Sequence, residues 1–130
     1  FINGFGLKKG AIASSVAHDS HNIVAVGVDN VSICNAVNLI IENKGGLSFW
    51  SEDTGLVLPL SIGGIISLET YKKTAEIYEE LNLFAKKSGT TLKAPFMTLS
   101  FMALPVIPKL KITDKGLFNV TDFAFTDIFC

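Results

Sequence analysis

The run S-S-V-A-H-D-S-H-N at residues 14–22 holds both histidines of the chain, an aspartate and three serine hydroxyls. It sits between two apolar runs. Residues 11–17 and 23–27 carry Ile, Val and Ala with little alternation, the pattern of short strands covered on both faces. Five residues, His18, Asp19, Ser20, His21 and Asn22, connect them, which predicts a hairpin or a tight polar corner. Loops mounted on buried strands are where binding side chains concentrate.

Outward from this corner the chain punctuates itself. Asp29 or Asn30 can cap a helix running to about Asn43, with Ile33, Val37, Ile40 and Ile41 as its apolar stripe and Gly45 or Gly46 as a left-handed stop. Residues 47–50 read as a strand, 51–55 as an exposed turn with two solvated acids, and 56–60 as the returning strand. The Gly63-Gly64 pair lacks the spacing of a phosphate-cradling loop, so it reads as a packing device. Ser67 is expected to cap a helix over residues 68–87, burying Leu68, Tyr71, Ala75, Tyr78, Leu81 and Ala85 against a charged outer face.

Pro95 suits a first helical turn and Pro105 a stop, which predicts a short third helix over residues 96–104. Phe96, Met97, Phe101 and Met102 then read as core. Residues 110–112 and 117–120 form strands around a turn at 113–116. The tail, 120–129, keeps an apolar alternation that predicts docking on the body. The order is β-β-α-β-β-α-α-β-β, an α+β single domain over residues 1–130 with a mixed sheet, two main helices and a short third.

Composition limits the partners. With 48% apolar and 18% charged residues and a net charge of −1, the chain is a well-buried body without the clustered Lys/Arg that nucleic acid or an anionic membrane requires. Its longest uncharged runs, 54–68 and 94–108, are broken by proline or glycine and fall short of the ~20 residues that span a bilayer. Cys34 and Cys130 make no disulfide framework and read as reduced thiols of a cytoplasmic protein. The chain begins at Phe1 rather than methionine, and it reads as a piece of something longer.

His18, Asp19 and His21 are the only cluster with metal-ligand or catalytic chemistry. On an extended strand the two histidines would face opposite ways, and no second histidine pair or H-E-x-x-H helix supports them, so no metal site is expected within this chain. Ser14, Ser15 and Ser20 neighbour His18, but a G-x-S-x-G elbow is absent. Two readings stay open. The corner lines a site completed elsewhere, with residues 18–22 contacting substrate or supporting ligands, or it is a structural corner whose side chains satisfy backbone groups.

Longer strings add a resemblance. G-F-G-L-K-K-G-A-I-A-S-S-V-A-H-D-S-H-N-I-V-A-V-G (4–27), L-P-L-S-I-G-G-I-I-S (58–67), P-F-M-T-L-S-F-M-A-L-P-V-I-P (95–108) and L-K-I-T-D-K-G-L-F-N-V (110–120) resemble, in order, the C-terminal domain of adenine deaminases of the amidohydrolase superfamily. Ser61 stands where that family is expected to carry proline. The resemblance implies a parent enzyme that hydrolyses adenine to hypoxanthine and ammonia. It implies a (β/α)₈ barrel holding binuclear manganese or iron, whose bound water attacks the ring carbon. The barrel motifs are absent here, so the resemblance implies an inactive fragment with no cofactor of its own and a domain start upstream of Phe1. Its expected partners are the barrel of the same polypeptide, adenine, and in some settings a second copy.

Overall fold

The computed structural model describes residues 2–128. Phe1, Phe129 and Cys130 lie outside the described residues, and with them any pairing of Cys130 and the far end of the tail. The elements are β1 (Ala11–Ser14), β2 (Val24–Gly27), α1 (Asn30–Glu42), β3 (Gly46–Ser51), β4 (Thr54–Pro59), α2 (Tyr71–Lys87), α3 (Pro95–Phe101), β5 (Leu110–Thr113), β6 (Gly116–Asn119) and β7 (Ala124–Phe125). The fold is α+β with three helices, and its strands form two antiparallel sheets, ordered β2-β1-β3-β4 and β5-β6-β7.

The first sheet is covered on both faces, which is why β1 carries no polar alternation. Ala11 and Ala13 point to one side and pack with Ala36 and Ile40 of α1. Ile12 points to the other and joins Leu47, Phe49, Leu58, Leu81, Ala85, Phe96 and Leu99 beneath α2 and α3. The small alanines let α1 lie close, so its inward face is Ser32, Ala36 and Ile40, and Ile41, expected in the stripe, is 58% exposed. The buried Ser48 hydroxyl donates to the Ala36 carbonyl at 2.6 Å, which satisfies it under the helix.

Asp29 caps α1 as expected, accepting from the Ser32 amide and hydroxyl, each at 2.8 Å. These bonds hold its carboxyl below the ordinary value of 3.8. At the other end the chain turns to positive φ at Lys44 (59°) and keeps it through the expected glycines, Gly45 (126°) and Gly46 (155°). The Gly45 amide bonds the Ile40 carbonyl and the Lys44 amide bonds that of Ile41, a Schellman closure. Gly45 is required for a second reason: a Cβ there would clash with Gly64 Cα, so the Gly63-Gly64 turn packs backbone against backbone. Glu52 and Asp53 both adopt left-handed φ in the two-residue β3–β4 turn, and Glu52 meets Lys9 at 3.2 Å in solvent.

Three expectations are corrected. The second helix begins after Thr70, whose hydroxyl accepts from the Lys73 amide, rather than after Ser67. Leu68 and Tyr71 are therefore 77% and 91% exposed instead of buried. The third helix ends at Phe101; residues 102–104 tighten into i→i−3 bonds ahead of Pro105. Of its four core candidates only Phe96 is fully buried, with Met97 56% exposed. The tail pairs with β6 as β7 instead of docking on the body, and its rings pack locally around Phe118.

Candidate functional site

The 14–22 run leaves the end of β1 and is held by hydroxyls. Ser14, fully buried, folds its Oγ onto Val16, donating to the carbonyl and accepting from the amide, both at 2.9 Å. Ser15 Oγ accepts from the Gly46 amide at 2.8 Å and donates to the Gly64 carbonyl at 2.6 Å. One hydroxyl thus clasps the β1 exit, the start of β3 and the glycine turn. Both serines are consumed by backbone bonds and are not poised as nucleophiles.

Beyond the clasp the chain turns out into solvent. His18, Asp19, Ser20, His21 and Asn22 are all exposed, and Asp19 takes a left-handed φ of 68° that makes the corner tight. The His18 amide donates to the Ser100 carbonyl at 2.8 Å, and its ring packs on Phe101 with centroids 4.9 Å apart. Its Nδ1 stands 3.6 Å from Asp19 Oδ1, beyond hydrogen-bond range, with both side chains more than half exposed. The Ala17 amide donates to His21 Nδ1 at 3.2 Å. Asn22 closes the corner by bonding the Ser20 carbonyl through its amide at 3.0 Å.

The corner therefore combines features of both readings left open by the sequence. Its five side chains are exposed, although His18 rests on Phe101 and His21 accepts an internal amide, while its backbone is fixed from inside. Among the described residues no three His, Cys, Asp or Glu side chains are grouped as metal ligands would be. Cys34 is exposed and free. No helix among the described residues is long and apolar enough to cross a membrane.

Sequence reasoning missed the supports. Ser100 and Phe101 lie some eighty positions from the corner, and Phe101 read only as core. Beneath the loop, Val16, Leu47, Tyr78, Phe96, Met97 and Ser100 line a small apolar pocket of about 160 Å³. A larger recess of about 370 Å³, lined by Lys115, Phe125 and Asp127, opens on the second sheet, remote in the chain from every histidine.

The chain's relatives are consistent in kind. A family described as "Adenine deaminase C-terminal domain" matches residues 1–124. The chain is similar to the adenine deaminase of Methanosarcina barkeri, 55% identical over 129 residues, 99% of this chain and 23% of that protein. It is 52% identical to that of Archaeoglobus fulgidus, over 98% of this chain and 23% of the relative. It is 48% identical to that of Borreliella burgdorferi, with the same coverage. The chain thus spans about a quarter of the length of the curated relatives it matches.

Proposed function

The chain belongs to the adenine deaminase C-terminal domain family, and on that premise we propose that it forms the C-terminal part of an enzyme hydrolysing adenine to hypoxanthine and ammonia. In this reading it packs on the amidohydrolase barrel of its own polypeptide, acts in cytoplasmic purine salvage, and helps close or line the active site through residues 18–22. The observation that carries the loop assignment is the contrast between exposed side chains and an anchored backbone at the corner. Groups that meet a ligand need to be uncovered when the partner domain is away, yet already placed.

The described residues do not fit the binuclear manganese or iron centre that the family implies, since no ligand group forms among them. The metal belongs to the barrel in this proposal, and no chemical step is assigned to this chain. His18, Asp19, Ser20, His21 and Asn22 are assigned instead to substrate contact or to support of the ligands.

A second reading makes the domain a structural or oligomerisation module, favoured by the internal bonds of the corner and by the exposed Ile112, Phe123 and Phe125. Adenine deamination by the full-length polypeptide separates the two, comparing wild type with His18→Ala and His21→Ala while metal content and thermal midpoint are followed. A large fall in turnover with metal and midpoint retained supports the site reading. Unchanged turnover, or a loss matched by a lower midpoint, leaves the structural one.

A further inference from the structure

The two histidines of the corner differ in one respect that decides what each can do. His18 Nδ1 stands 3.6 Å from Asp19 Oδ1, and among the described residues no hydrogen bond to its ring selects a tautomer. His21 Nδ1 accepts the Ala17 amide at 3.2 Å. A ring nitrogen that accepts must present a lone pair, so this bond selects the tautomer that carries its proton on Nε2. Ala17 is 4% exposed at the exit of the sheet, which fixes the donating amide and with it the ring edge that faces inward. The opposite edge belongs to an exposed residue and carries N–H.

We propose that His21 is a specificity-determining hydrogen-bond donor, presenting Nε2–H to a lone pair on a ring nitrogen of the bound aminopurine. This rests on the reading of residues 18–22 as part of the site wall. In this tautomer Nε2 can only donate. It accepts ligands with an unprotonated ring nitrogen at that point and disfavours those carrying N–H or C–H there, because the donor is then left unpaired as water is excluded. Hydrolysis of an aminopurine to its oxo product turns one ring nitrogen from acceptor to donor, so a contact at that atom would also favour product release.

Two substitutions separate the inner and outer edges of the ring. His21→Asn keeps an acceptor within reach of the Ala17 amide but removes the outward N–H. His21→Gln extends a donor outward and gives up the inner acceptor. In the full-length polypeptide, His21→Asn is expected to weaken adenine binding about tenfold, read as KM with kcat less affected, and His21→Gln to recover most of it. Among the 1-, 3- and 7-deaza analogues of adenine tested as inhibitors, one should bind wild type and His21→Asn equally, identifying the contacted nitrogen. Histidine ¹⁵N spectra of the 130-residue protein, which contains only these two histidines, should show His21 as the Nε2–H tautomer near neutral pH. An Nδ1–H or doubly protonated ring would overturn the inference while leaving the loop at the site. A correct tautomer with His21→Asn binding adenine and all three analogues as wild type does would overturn the donor role. If His18→Ala is then also silent, the site reading falls with it.

Discussion

Every side chain of residues 11–14 is buried, whereas between residues 101 and 128 none is. Both stretches contribute antiparallel strands, and the exposed one holds far more Ile, Leu and Phe than the buried A-I-A-S of residues 11–14. What separates them is cover. The first sheet has α1 on one face and α2 with α3 on the other, so β1 sits in a closed layer. The second sheet, β5-β6-β7, makes its principal packing within itself, around Phe118, Phe123 and Phe125 with ring centroids 5.3 to 5.4 Å apart. Three short strands without a covering layer lie near the lower limit of independent stability. Apolar sequence supplies the demand for burial, and only a second layer meets it.

The sharpest way to break this contrast is to cut into the closed layer. Phe49 is 2% exposed and packs on Phe84, so Phe49→Ala should cost about 3–5 kcal/mol in chemical denaturation. Ser15→Ala comes next at about 1–3 kcal/mol, because it leaves the Gly46 amide and Gly64 carbonyl without their shared partner. Its amide chemical-shift changes should concentrate at residues 18–22 and 63–64. On the second sheet Phe125→Ala should cost about 1 kcal/mol or less, the ring being 57% exposed. A penalty there equal to that at Phe49 would show that the second sheet is integrated with the body.

The smallest effect is electrostatic and confined to one rim of the body. The Ser32 amide and hydroxyl lower the Asp29 carboxyl below its unfolded value. Its contribution is therefore complete above the unfolded value and is lost as pH falls through the folded one. Acidification should increase hydrogen exchange in the first turn of α1 before it affects β1, and Asp29→Ala should abolish that pH dependence.

Much of the fold was legible because its signals are local. The β1–β2 hairpin, the Asp29 cap, the turn within 51–55, which tightens to Glu52 and Asp53, and the 113–116 turn each depend on residues a few positions apart. The start of α2 was not, because Ser67 and Thr70 are both competent caps. Ser67 does accept from the Glu69 amide at 3.1 Å, but only the exposure of Leu68 shows that no helix face needs to begin there. The inward stripe of α1 depended on the alanines of β1, a match between distant segments. At the candidate site the residue types of 18–22 were visible, but the Ser15 clasp, the Ser100 carbonyl and the Phe101 ring were not. Their partners are brought near by the sheet and helix packing rather than by spacing.

That clasp also orders events in time. Ser15 reaches partners 31 and 49 positions away, so it can close only after the chain through Gly64 has been made. Contacts of such separation incur their loop-closure entropy before they contribute stability. The histidine corner, although encoded near the beginning of the chain, thus depends for its anchored shape on segments made well after it. A nascent or partly folded chain would carry both histidines without the geometry that gives them a direction.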